Sequence, residues 1–142
     1  MRLPSDSSKA IMENQRNRRM AAPGKWTVEW YTTPAGERPM KVFLEDLEGD
    51  DENLANALSL LELLESRGNT LRPPRSESLG GGLFELRAHP RPVRIFYAFK
   101  PGRRIVVLDG MVKKKAKIPG DVLNRVRAYQ RDLESNIPRR AP

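Results

Sequence analysis

The first stretch with a clear period is "KWTVEWY", in which Trp26, Val28 and Trp30 alternate with Thr27 and Glu29. Period two marks a half-buried strand, because successive side chains leave a strand on opposite faces. After the turn-like "TTPAGERP" the spacing lengthens. Val42, Phe43 and Leu47 fit one or two helical turns, with Pro39 admissible at the first helical position. "DDENLANALSLLELLESRGN" then sets Leu54, Ala57, Leu58, Leu61 and Leu64 along one helical stripe. Acidic residues occupy its first turn, where the helix dipole favours them, and Gly68 with Asn69 stops it. The two helices are expected to form an antiparallel pair that packs its stripe on a sheet.

The stretch "TLRPPRSESLGGG" reads as a loop, with the glycines a flexible turn. Three strand-like runs follow, "LFELRAH", "VRIFYAFK" and "RIVVLDGMV", joined by the short links "PRP" and "PGR". Links that short permit hairpins and leave no room for helical crossovers, so the runs form an antiparallel meander. In the first run Glu85, Arg87 and His89 share one face against Phe84, Leu86 and Ala88. In the second, Val93, Ile95, Tyr97 and Phe99 oppose Arg94, Phe96 and Ala98. The apolar faces are expected to meet the helices, leaving the Arg87 face more open. A last helix carries Val122, Val126, Tyr129 and Leu133 at helical spacing, with Asp121 as its cap. The order β-α-α-β-β-β-α describes a small α+β domain, an antiparallel sheet packed against helices, over residues 25–135. Residues 1–24 read as a disordered extension or an upstream start, and 136–142 as a frayed tail.

Charge changes the picture because it is unevenly spread over a net +8. Residues 26–70 hold three basic and ten acidic side chains, whereas 71–142 hold seventeen basic and six acidic. An acidic middle followed by a basic remainder points to one face for a polyanion, with phosphate backbones first. Cysteine is absent, which removes disulfides, thiolate zinc sites and cysteine nucleophiles, and a single histidine leaves little scope for a metal. No cofactor and no metal are expected. With no apolar run near the roughly 20 residues that span a bilayer, and no secretory leader pattern, the expected location is the cytoplasm.

Three pieces in series carry a resemblance: Gly82 to Arg87 ("GLFELR"), Arg94 to Tyr97 ("RIFY"), and Lys113, Lys114 with Lys117 and Pro119 in "KKKAKIP". Together with "KWTVEWY" and the last helix, their order and spacing resemble the RelE/HigB superfamily of toxins, in particular its phage-derived HigB-like branch. The resemblance implies a microbial-RNase-like fold. It also implies a type II toxin–antitoxin toxin that cleaves mRNA, usually on the translating ribosome, and is silenced by a cognate antitoxin, often a helix-turn-helix protein.

Metal-independent RNA cleavage needs an activated 2′-hydroxyl, donors around a phosphate gaining charge, and an acid for the leaving oxygen. Arg87 and Arg94, on neighbouring strands, are candidate phosphate clamps. The alternative is an ion pair with Glu85 or Glu77. Lys113 and Lys114 end the last strand beside that face. Clustered cations depress one another's pKa, so one lysine could carry a proton, while a solvated charge run is the alternative. His89 is the conventional acid–base candidate, weighed against an ordinary surface histidine before Pro90. Lys115, Lys117, Arg91 and Arg103 are candidate RNA contacts. Tyr97, Phe99, Trp26 and Trp30 read as packing residues; some members of the superfamily that the chain resembles place a histidine or tyrosine near the C-terminus for proton transfer, and here that region offers only Tyr129, whose helical spacing reads first as core. The competing functions are a non-cleaving RNA binder, an interaction module for an acidic protein, and a decayed toxin.

Overall fold

The computed structural model describes residues 25–88 and 90–136. Five strands and three α-helices follow along them: β1 (Thr27–Trp30), α1 (Pro39–Asp46), α2 (Asp51–Arg67), β2 (Ser76–Gly80), β3 (Leu83–Arg87), β4 (Val93–Lys100), β5 (Arg104–Val112) and α3 (Gly120–Asn136). The sheet order is β1-β5-β4-β3-β2. The α+β class and the β3-β4-β5 meander stand as expected, with Arg87 opposite Arg94 across β3 and β4. Among the described residues no helix is long and apolar enough to cross a membrane.

Two features of the sheet differ from the expectation. β1 pairs with β5 in parallel, Val28 opposite Ile105, so the sheet is mixed rather than antiparallel. The α1–α2 excursion and strands β2, β3 and β4 lie between these strands in sequence, which gives the chain room for a parallel return. The stretch read as a loop contains β2, an edge strand paired antiparallel to β3. "SESLG" shows no apolar alternation because an edge strand needs little burial. Of its side chains only Ser76 is fully buried, where its hydroxyl lies 2.7 Å from the Tyr97 hydroxyl. The glycines at 80–82 all have positive φ and reverse the chain into β3.

Helix ends follow from their residues. Asp50 caps α2 by accepting from the Asn53 backbone N–H at 3.2 Å. Gly68 ends it with φ 49°, and a Cβ there would collide with the Trp26 indole, so conformation and space both require glycine. In α1 the buried stripe is Met40, Phe43 and Leu44, continued by Leu47 just past the helix end, while Val42 is 50% exposed. The expected α1 stripe was therefore misplaced at Val42. Asp121 stands inside the first turn of α3 rather than capping it.

Both sheet faces are covered, unequally. On one face α1 and α2 bury Met40, Leu44, Leu54, Leu61 and Leu64 against Leu86, Ile95, Tyr97, Ile105 and Val107, and Trp26, Trp30 and Phe99 pack at the margin. On the other, α3 sets Val126 with Val122, Tyr129 and Leu133 against Leu83, Phe96, Val106 and Leu108. Val107 pairs with Tyr97 and Asp109 with Phe96, so Leu108 is an extra residue in β5. This bulge puts both Leu108 and Asp109 toward α3, where Asp109 meets Arg125 at 3.3 Å. Side chains of α3 also hold the β2–β3 turn. Arg127 donates to the carbonyls of Leu79 and Gly80, and Gln130 to that of Gly81, each at 2.7 Å.

Candidate phosphate-binding site

The α3 side of the sheet changes character along its strands. Leu83 and Phe96 lie under the helix cluster, and two residues further from each come Glu85 and Arg94, then Arg87. Alternation places these charges on the same face as Leu83 and Phe96. Arg87 and Arg94 are directly opposed, an arrangement that is unfavourable for like charges alone. Glu85 offsets it. Its side chain is 1% exposed, with Oε1 3.3 Å from Arg87 and Oε2 3.3 Å from Arg94 Nε. Arg87 is also ion-paired with Glu77 across β2 and β3.

The arginines are held differently. Arg87, 25% exposed, donates to Glu85 Oε1 through Nε and Nη2. Arg94, 12% exposed, donates through Nη1 to the carbonyls of Arg91 at 2.7 Å and Val93 at 3.0 Å. Its Nε and Glu85 Oε2 are close enough for an ion pair but misaligned for a hydrogen bond. Both atoms are buried, and neither has a hydrogen-bond partner among the described residues. Burial is the main reason the Arg94 guanidinium is held below its ordinary pKa; Glu85 opposes the shift and Arg87 adds to it. Arginine stays charged through such a shift, so the pair is a permanent cationic element with donors left incompletely used.

β5 delivers the lysines to the same end of the sheet. The Lys113 backbone N–H donates to Pro92 O at 2.7 Å, extending the β4–β5 ladder beyond Val112. Lys113 is half-buried, and Lys114, Lys115 and Lys117 are exposed on the loop leading to α3. Among the described residues none of the four makes an ion pair. Guanidinium forks beside ammonium groups that make no ion pair have the chemistry to hold an anion, with Arg87 and Arg94 supplying geometry and the lysines supplying net charge.

The span that builds this arrangement is also the span that a family model matches: residues 43–131 fit the family described as Phage derived protein Gp49-like (DUF891). The chain belongs to this Gp49-like family. No curated protein matches it. The Gp49-like span begins within α1 and ends within α3, so it includes the arginine pair, Glu85, the lysine loop and β2.

Within the Gp49-like fold the expected site residues separate. Arg87, Arg94 and Lys113 share one end of the sheet, and Lys114, Lys115 and Lys117 continue from it. Arg91 lies in the β3–β4 turn at that end, exposed and 2.6 Å from Glu52. Its carbonyl, rather than its guanidinium, serves the cluster by accepting from Arg94. Arg103 is at the opposite end of the sheet, in the β4–β5 turn with φ 58°, its guanidinium 4.9 Å from the centre of the Trp26 ring. His89 lies outside the described residues. Tyr129 packs on Tyr31 with ring centres 5.0 Å apart, in agreement with the packing reading.

Two features are not evident from the sequence pattern. Glu85 is expected on an exposed face and is instead buried between the arginines; its closeness to Arg87 and Glu77 is visible in the sequence, its burial is not. A cavity of ≈ 350 Å³ beside Gly110 is lined by Glu37, Phe43, Asp46, Asp109, Arg125 and Tyr129. Burial pushes the Asp109 carboxyl up, opposed by the Gly110 N–H and Arg125, and burial and Asp109 push the Tyr129 phenol up.

Proposed function

We propose that this Gp49-like chain is the toxin of a type II toxin–antitoxin system, an endoribonuclease that cleaves mRNA on the ribosome without a metal ion and so inhibits translation. The observation that carries this reading is the opposed Arg87–Arg94 pair set beside Lys113 and Lys114 at one open end of the sheet. Membership of a phage-derived family associated with such toxins, and the resemblance of "GLFELR", "RIFY" and "KKKAKIP" to RelE/HigB toxins, support it.

In this reading a phosphodiester approaches the arginines from the lysine side and competes with Glu85 and Glu77 for their N–H groups. Arg94 already has a buried Nε–H without a hydrogen-bond acceptor, so part of the desolvation cost of binding has been met in the fold. Arg87 and Arg94 stabilise charge on the phosphate as the 2′-oxygen attacks, and Lys113 and Lys114 neutralise what remains. Proton transfer falls to His89 or to a lysine of the cluster. Lys115 and Lys117 contribute affinity along the RNA and toward ribosomal RNA, and Arg91 joins them only by leaving Glu52. A helix-turn-helix antitoxin is the proposed partner that silences the site.

Induced expression in a translating cell, with mRNA 5′ ends mapped, tests the proposal. New ends at preferred codons are expected, and they should vanish in a folded Arg87→Gln, Lys113→Gln, Lys114→Gln variant. A second reading, RNA binding without cleavage, draws on the engagement of both arginines by carboxylates. Unchanged 5′ ends together with arrested translation would favour it.

A further inference from the structure

We infer a second phosphate-binding site, in the pocket between the end of α2 and the loop entering β2, that holds another phosphate of the same RNA strand; this rests on the RNA reading above. The pocket measures ≈ 310 Å³ and is lined by Leu63, Arg67, Thr70, Leu71, Arg72 and Arg75. Three guanidinium-bearing residues thus border one concavity, and no carboxylate lines it. Among the described residues none of the three takes part in an ion pair. Such a concentration of like charge is unfavourable until an anion enters it.

The pocket is also partly organised in advance. Arg72 Nη1 donates to the carbonyls of Asn69 and Leu71, both at 2.9 Å, which fixes the guanidinium and leaves its other N–H groups for a ligand. The Thr70 hydroxyl is held by donation to Arg67 O at 2.8 Å. Arg67 belongs to the last turn of α2, where the helix dipole favours its charge. Leu71 packs against the core and supplies a fixed apolar floor. Planar forks around a small concavity suit a tetrahedral anion better than a single carboxylate.

Continuity with the first site selects RNA as the source of that anion. The Arg75 carbonyl accepts from the Arg87 N–H at 2.8 Å, so the loop that closes the pocket runs beside the clamp strand; Leu63 and Arg67 stand on α2, across the sheet from the Arg87 and Arg94 side chains, and an RNA strand that reaches both sites passes around the β2 edge. From Arg75 through Arg87 and Arg94 to Lys113 the chain positions cross three strand spacings, about 14 Å in all. One polyanion with regularly repeated phosphates can reach both sites, whereas a free phosphate gains nothing from their adjacency.

The probe is a 2′-O-methylated single-stranded oligonucleotide of about twelve nucleotides, which cannot undergo attack by its own 2′-oxygen. Its affinity is followed by fluorescence anisotropy over a range of salt. Arg67→Gln, Arg72→Gln, Arg75→Gln together should weaken binding at least tenfold and reduce the slope of log K against log[salt] by about 0.7 for each phosphate that the variant no longer neutralises. Arg72→Lys alone, which keeps the charge and loses the fork, should weaken binding while leaving the slope nearly unchanged. A control with the same charge change elsewhere, Lys41→Gln, Lys100→Gln, Arg131→Gln, should lose much less. Equal losses in the control, or wild-type affinity in the folded pocket variant, would overturn the site and leave the RNA reading intact. Absence of RNA binding by the wild-type chain, with inorganic phosphate still shifting the Thr70 and Leu71 amide resonances, would instead make this a free-phosphate site and remove the RNA reading itself.

Discussion

The two faces of the sheet solve different problems with the same strands. Under α1 and α2 the face is apolar along the meander, from Leu86 and Val93 through Ile95 and Tyr97 to Ile105 and Val107. Under α3 it is apolar at Leu83, Phe96 and Leu108, then passes into Glu85, Arg87 and Arg94. The first face closes the fold. The second commits only part of its area to burial and leaves a charged margin from which the lysine loop departs. A charged margin set on the back of a closed core needs no loop to hold its shape, since β3 and β4 fix the arginine spacing through their register.

The largest expected effect tests that division. Leu61→Ala removes a side chain that is 1% exposed and packed in the closed face, and should cost about 3–4 kcal/mol in denaturant unfolding. Leu133→Ala, at the half-buried edge of the α3 cluster, should cost about 1 kcal/mol. Equal losses would show that both faces contribute alike to the core and that the open face is no less structural than the closed one.

Glu85→Gln sharpens the comparison at the charged margin. Removing the carboxylate leaves Arg87 and Arg94 opposed without a counter-charge between them. Full loss of a buried partner costs about 3–5 kcal/mol, and because both arginines remain partly open to water the expected loss here is about 2 kcal/mol. The same change removes the negative charge that holds both guanidiniums, so on the RNA reading affinity for single-stranded RNA should rise as stability falls. Isothermal titration together with denaturant unfolding reads both quantities. A variant that loses stability and RNA affinity together would mean that Glu85 positions the arginines for the ligand rather than competing with it.

What the chain reveals in advance follows the range of the interactions concerned. The Arg87–Arg94 pairing is legible because seven positions and one short turn separate the two, and period two orients both. Local spacing likewise marks the α2 stripe and its stop at Gly68. The parallel pairing of β1 with β5 is set by residues far apart in sequence, and no local pattern reports it. β2 is hidden because backbone pairing to β3 and a turn of three glycines carry it, with little apolar burial. Glu85 is misjudged because alternation gives a side chain's face and not how completely that face is covered. The extra residue at Leu108 breaks simple alternation in β5 and brings Asp109 to α3. The arginines at 67, 72 and 75 look in sequence like the end of a helix and a loop; their convergence needs the turn at Gly68–Thr70.

A smaller effect concerns what holds α3 over its half of the open face. Arg127→Ala with Gln130→Ala removes donation to the carbonyls of Leu79, Gly80 and Gly81. These hydrogen bonds are partly exposed, so a loss of about 1–2 kcal/mol is expected. Amide hydrogen exchange should accelerate in α3 and the β2–β3 turn before it does in α2. Uniform acceleration across both helices would mean that the two faces open as one unit.

The smallest effect is a pH dependence carried by Asp109. Burial raises its pKa in the folded state above the ordinary 3.8, with the Gly110 N–H and Arg125 reducing the shift. A carboxyl with a raised folded pKa binds its proton more tightly when folded. Its contribution is therefore most favourable below the ordinary value and is lost as pH rises through the folded pKa. Asp109→Asn removes this titration while keeping a side chain of similar size. The stability of the wild-type chain relative to the Asn variant should then fall on going from pH 3 to pH 7, as measured by urea unfolding at each pH. A difference that instead grows with pH would mean that the Arg125 pair outweighs burial at this position. The α3 face would then gain stability from its charges where it meets the helix, and the contrast with the closed face would be one of chemistry more than of coverage.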